Sequence, residues 1–149
     1  MAFIKTDGHG TIRYYNSNGQ LHRDDKDPIT GLTLPAVEWA DGMKYWYKHG
    51  LKHRDDKDEF GLTLHAVEYA NGTKLWYKND MHHRDDKDPI TGLTLPAFIS
   101  LSGTKIWYKN GQFHRDDKDE FGIPLPAIVW NNGVKRWCIN RVEYLLIKI

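Results

Sequence analysis

The stretch "AVEWADGMKYWYKHGLKHRDDKD", Ala36–Asp58, decides the fold. Two short aromatic-rich runs flank Asp41-Gly42, and a third run follows His49-Gly50. Asp-Gly and Asn-Gly supply the positive φ angles that tight hairpins demand, so "AVEWA", "DG" and "MKYWYK" predict two antiparallel strands joined by a two-residue turn. Asn71-Gly72 and Asn132-Gly133 repeat the signal, and Ser102-Gly103 is a weaker version of it. After the second turn (His49-Gly50, Asn79-Asp80 or Asn110-Gly111) a run such as "LKHRD" is expected to pair back on the aromatic strand. Each such unit is a small meander ending in a loop.

The unit recurs along the chain. "HRDDKD" stands at His22–Asp27, His53–Asp58, His83–Asp88 and His114–Asp119, with starting intervals of 31, 30 and 31 residues. Trp46, Trp76, Trp107 and Trp137 keep the same rhythm, and each lies ten residues after Ala36, Ala66, Ala97 or Ala127. Self-similarity at such a period is the mark of a repeat architecture. Length varies between "HRDDKD" and the next Ala, where units one and three read "DPITGLTLPA" and units two and four read "DEFGLTLHA" and "DEFGIPLPA". That alternation makes a higher period of 61 residues. Insertions are tolerated where backbone lies in solvent, so this segment is an exposed loop and the constant stretches are framework.

These patterns predict an all-β protein: an elongated single-layer antiparallel sheet of four to five stacked hairpin or meander repeats of 30–31 residues. Residues 1–149 form one repeat domain, with 1–21 a partial N-terminal repeat or cap, 22–52, 53–82 and 83–113 full repeats, and 114–149 a last repeat with a divergent C-terminal cap. "GTIRYYNSNGQLHR" places Tyr14 at the Trp position, with one extra turn residue. After Trp137, "CINRVEYLLIKI" loses the His-Arg-Asp signature, as terminal repeats do, and an apolar terminal strand there would close the sheet or make a homodimer.

Composition narrows the class. Of 149 residues, 13% are aromatic and 28% charged, which is unlike a disordered chain. A formal net charge of +1 leaves no global footprint for nucleic acid. The lone Cys138 excludes an internal disulfide framework and fits a reducing, cytoplasmic setting. No run approaches the roughly 18 apolar residues of a membrane helix, and "MAFIKTDGHG" has no apolar core for a signal peptide, so no membrane partner is expected.

"DGMKYWYKHGLKHRDD", "NGTKLWYKNDMHHRDD" and "SGTKIWYKNGQFHRDD" resemble the variant MORN-type repeats of phages, giant viruses and some bacteria. The resemblance runs from about Gly10 to Asn140 and rests on the turn glycine, the Trp-Tyr pair, the second turn and the His-Arg-Asp. It implies an elongated array of β-hairpins used for binding, and a viral or phage accessory protein acting in a host cytoplasm. In that family "HRxDGPA" runs straight into the next strand, whereas a longer loop stands here, so the loop's role is not inherited. Fold and function are separable in any case.

The chemistry of "HRDDKD" admits several roles. "HRD" is found in the catalytic loop of protein kinases, but the Asn five residues on, the glycine-rich loop and the strand lysine are missing. Acid–base catalysis by His and Asp would require one copy to be special, and the four are alike, so no catalytic residue and no enzyme is expected. Calcium or magnesium is the alternative, through Asp24, Asp25, Asp27, Asp55, Asp56, Asp58, Asp85, Asp86, Asp88, Asp116, Asp117 and Asp119. Against it, the EF-hand Gly and Glu are missing, and Arg23 and Lys26 sit among the acids. The favoured reading is an inter-unit ladder and loop brace, with Arg forks on neighbouring carboxylates and Asp on loop amides.

Strand alternation places Lys44, Trp46 and Lys48 on one face, and likewise Lys74, Trp76, Lys78 and Lys105, Trp107, Lys109. The rings would stack along the array under lysine stems, or form a basic aromatic stripe for single-stranded nucleic acid, which the near-neutral charge disfavours. The expected partner is another protein, with Trp46, Tyr47, Trp76, Tyr77, Trp107, Tyr108, Arg23, Arg54, Arg84 and Arg115 as candidate contacts and no cofactor.

Overall fold

A computed structural model describes residues 2–144. The chain opens with a hairpin of β1 (Phe3–Thr6) and β2 (Ile12–Tyr15). A second hairpin, β3 (Val37–Glu38) and β4 (Lys44–Tyr45), leads into a smaller one, β5 (Tyr47–Lys48) and β6 (Leu51–Lys52). The pair of hairpins recurs as β7 (Val67–Glu68), β8 (Lys74–Leu75), β9 (Tyr77–Lys78) and β10 (Met81–His82). It recurs again as β11 (Phe98–Ile99), β12 (Lys105–Ile106), β13 (Tyr108–Lys109) and β14 (Gln112–Phe113). The described chain ends with β15 (Ile128–Val129), β16 (Lys135–Ile139) and β17 (Val142–Tyr144).

Eleven strands make one open antiparallel sheet in the order β1-β2-β3-β4-β7-β8-β11-β12-β15-β16-β17. The all-β class, the antiparallel array and the 30–31-residue rhythm are as the sequence predicts. The pairs β5–β6, β9–β10 and β13–β14 stand beside that sheet as separate two-stranded hairpins, and among the described residues there is no helix. The apolar tail beyond Tyr144, expected to close the sheet or pair with a second molecule, lies outside the described residues.

The aromatic run is two strands rather than one, and it divides at Trp. The Trp46 amide donates to Ala66 O of the next unit at 2.8 Å, while Trp46 O accepts from His53 N of its own small hairpin at 3.1 Å. Trp76 and Trp107 do the same with Ala97 and His83, and with Ala127 and His114. Each Trp thus hinges the main sheet to the row of small hairpins. The pleat is interrupted there, so Leu75 and Trp76, neighbours in sequence, are both buried. Strict alternation cannot produce that, and the expected common face of each Trp with its flanking lysines is corrected: Trp46, Trp76 and Trp107 are buried core residues, while Lys44, Lys74 and Lys105 are exposed.

The turn types also differ from expectation. At Trp39–Met43 the bonds Gly42 N to Trp39 O and Trp39 N to Met43 O leave only Gly42 at positive φ, 94°. This is a three-residue loop closed by a glycine bulge, with Asp41 Oδ1 accepting from Met43 N at 3.0 Å. The true two-residue turns are the second set, where both central residues are left-handed: His49-Gly50, Asn79-Asp80, Asn110-Gly111 and Asn140-Arg141. Burial falls on Ala36, Ala66, Ala97 and Ala127, each fully covered, with Val37, Val67, Leu75, Ile128, Cys138 and the three Trp rings. Tyr14 does take the Trp place: its amide bonds Ala36 O at 2.8 Å, and Arg23 lies over its ring.

Candidate interaction surface

Each letter of "HRDDKD" has its own partner. His Nδ1 accepts a backbone amide from the two-residue turn that follows it within the same 30–31-residue repeat: His22 from His49, His53 from Asn79, His83 from Asn110 and His114 from Asn140, at 3.0–3.2 Å. A ring nitrogen that accepts carries no proton, so the proton of the neutral ring sits on Nε2 and is donated to the first Asp. Asp24, Asp55 and Asp85 take it at 2.8, 2.6 and 2.6 Å. The fourth pair is longer, 3.5 Å from His114 to Asp116, and leaves His114 Nε2 without a hydrogen-bond partner.

Arg54, Arg84 and Arg115 lie 4.0–4.1 Å above the rings of Trp46, Trp76 and Trp107, which is cation–π contact. Each also donates through Nε to the second Asp, at 2.9 Å for Asp56, Asp86 and Asp117, and through Nη1 to the carbonyl of His65, Pro96 or Pro126. The rings therefore stack under arginines, not on one another. Each indole N–H is satisfied by the preceding loop: Trp46 to Thr33 O, Trp76 to Thr63 O and Trp107 to Thr94 O, at 2.6–2.7 Å.

The second Asp is the inter-unit bolt. Asp56 accepts Thr33 N and Thr33 Oγ1 at 2.9 Å each and Lys26 Nζ at 3.1 Å, all from the unit before. Asp86 takes both Thr63 donors, and Asp117 takes both Thr94 donors and Lys87. Burial alone would raise Asp56 and Asp117; the bonds from Arg, Thr and Lys outweigh it and hold both carboxyls below the usual value. Asp25 bonds Arg23 but no threonine.

The third Asp builds the loop. Asp27 Oδ1 accepts from Ile29 N and Thr30 N, Asp58 from Phe60 N and Leu62 N, Asp88 from Ile90 N and Thr91 N, and Asp119 from Phe121 N and Ile123 N. Those amides and the Thr30 hydroxyl hold Asp27 below the ordinary carboxylate value, and Asp88 is held likewise. The three carboxylates of each copy thus diverge to three donor sets. Among the described residues no three His, Cys, Asp or Glu side chains converge to hold a metal ion.

Between consecutive units a groove repeats. The middle one, about 300 Å³, is lined by Arg54, Asp55, Trp76, Tyr77, Lys78 and His83 among others. Its neighbours, about 170 and 150 Å³, show the same cast around Tyr47 and Tyr108. Tyr77 packs on His82 with ring centres 4.1 Å apart, and His82 stacks on Tyr108 at 4.7 Å. Half-buried Tyr77 and Tyr108 are thereby tied through His82 across the second and third small hairpins.

What the chain presents outward is something else. Ile29, Phe60, Ile90 and Phe121 are 92, 71, 93 and 80% exposed, one large apolar side chain at each loop tip. The amide of each is one of the two its loop carboxylate grips. In the sequence these loops are legible as exposed, but only their first residues, Asp27, Asp58, Asp88 and Asp119, stand out there as candidates. The available signal was a single bulky apolar residue two positions after the last Asp of every copy. No protein-family model matches the chain, and neither a curated protein nor a solved structure is similar to it.

Proposed function

We propose that this chain is a non-enzymatic repeat protein that binds another protein through its row of loop tips. The observation that supports this is the fourfold exposure of an Ile or Phe on a turn clamped by an Asp carboxylate. Exposing a large apolar side chain is unfavourable, and doing it at the same place in four stacked units offers a partner four like apolar contacts. Clamping the turn beforehand lowers the ordering entropy lost on binding. Most His and Asp side chains of the four copies are committed to internal partners, which favours binding over a reaction. The resemblance to variant MORN-type repeats supports a setting among phage, giant-virus or bacterial accessory proteins acting in a cytoplasm.

Replacing "PITG" in loops one and three and "EFG" in loops two and four by Gly-Ser residues leaves the gripping carboxylates in place and removes the tips. The altered chain should keep the melting temperature of the parent within a few degrees and lose its protein partner in affinity capture. Equal capture by both proteins would end the proposal.

A further inference from the structure

The tips alternate in two properties at once. Units one and three carry Ile on the longer loop, and units two and four carry Phe on a loop one residue shorter. The short loops also bring Glu59 and Glu120 next to the aromatic ring, whereas Pro28 and Pro89 stand there in the long ones. An even number of alternating modules is self-complementary in one orientation only. Turned about a two-fold axis, unit one meets unit four and unit two meets unit three, so every long loop with Ile faces a short loop with Phe. In the parallel orientation like would face like: long on long, leaving gaps between the short pairs, and Glu59 against Glu59.

We propose that two copies of this chain pair antiparallel through their loop tips, Phe60 of one protomer against Ile90 of the other and Ile29 against Phe121. This rests on the reading of the tips as a protein-binding surface and names the protein. Charge supports it, since each acidic tip then meets a tip with no added carboxylate and no glutamates oppose one another. An isologous contact closes on itself. The central Phe60–Ile90 pairs survive whatever twist the sheet accumulates toward its ends, because they lie nearest the axis.

The competing arrangement, end-to-end growth of the array, is discouraged by the chain itself. Thr33, Thr63 and Thr94 each bolt their loop to the next unit's Asp through a backbone N–H and a hydroxyl. The equivalent residue of the last loop is Pro124, which has neither. The bolt is therefore not offered to the Asp25 of another copy. The two central tips, at no more than about 150 Å² each, bury on the order of 300 Å² per protomer, about 600 Å² in all, below the size of tight specific interfaces. The pairing is therefore weak, with a dissociation constant at the upper end of the micromolar range.

Sedimentation equilibrium across the micromolar range tests this on the full chain. The parent should show a reversible monomer–dimer equilibrium. Phe60→Lys and Ile90→Glu should each weaken it by more than about tenfold without shifting the melting temperature, since the clamped amides are backbone. Mixing the Phe60→Lys and Ile90→Glu proteins should restore pairing, whereas mixing Phe60→Lys with Phe60→Glu should not. A parent that stays monomeric, tip variants that dimerise like the parent, or rescue by the second mixture instead of the first would each overturn the proposal. If the parent is monomeric yet captures a different protein in a loop-dependent way, self-pairing falls and the protein-binding reading stands. A monomer with no loop-dependent capture sinks both.

Discussion

Replacing the second Asp of a copy by Ala should have very different effects in units one and two, although the six-letter text is identical. Asp56 is 7% exposed and holds Arg54, itself 6% exposed, together with both donors of Thr33. Asp56→Ala leaves that guanidinium without its carboxylate and the Thr33 amide without an acceptor. Breaking a buried pair by removing one partner costs about 3–5 kcal/mol, and each lost neutral bond about 1 kcal/mol. These terms overlap, so a destabilisation of about 3–4 kcal/mol is expected. Asp25 is 68% exposed, receives nothing from a threonine, and shares Arg23 with Glu38 at 2.8 Å. Asp25→Ala should cost about 0–1 kcal/mol, as exposed pairs do. Urea unfolding followed by tryptophan fluorescence and by circular dichroism measures both, with the parent slope as the check that the same surface is being exposed. Equal losses in the two variants, within about 1 kcal/mol, would refute the view that this residue works as an inter-unit bolt.

Three further outcomes follow from the same geometry. Thr33→Val should destabilise by about 1 kcal/mol through the lost hydroxyl bond to Asp56, while Pro124→Thr, which has no such acceptor in the described residues, should change thermal stability little. Asp80 sits at φ 68° in a two-residue turn where Gly50 and Gly111 stand in sister units, so Asp80→Gly should raise stability by about 1 kcal/mol in thermal melts despite losing an exposed contact to Lys52. Acidification should act in two stages. Burial, only partly offset by Glu68, lowers His65 below its ordinary 6.5, so the unfolded chain takes up the proton first and stability declines as pH falls from about 6.5 through the lowered folded value. The depressed Asp56 and Asp117 hold their contribution above the ordinary 3.8 and lose it only as pH drops through their own lowered values. Burial lowers His82 in the same way, so His65→Pro, the residue of the other three units, should diminish the first stage in pH-dependent melts, leaving the share of His82, and leave the second unchanged.

The sequence alone determined the class, the period and the boundaries of variation, because those are written in near neighbours. Turn glycines, the ten-residue step from Ala to Trp and the repeated polar text are local or periodic signals. The role of "HRDDKD" as ladder and brace was also legible, from the chemistry of Arg forks and Asp-capped turns. Tertiary structure decided what the rings face. Trp76 and Leu75 are both buried because the strand breaks between two sheets, and no alternation rule contains that break. It likewise decided that Asp56 answers to Thr33, a residue 23 positions earlier, and that the apolar residue of each of the four loop tips stands in solvent. Contacts between units depend on how the units stack, and the identical six letters therefore acquire unequal burial: Asp56 is covered by the loop before it, and Asp25 is not.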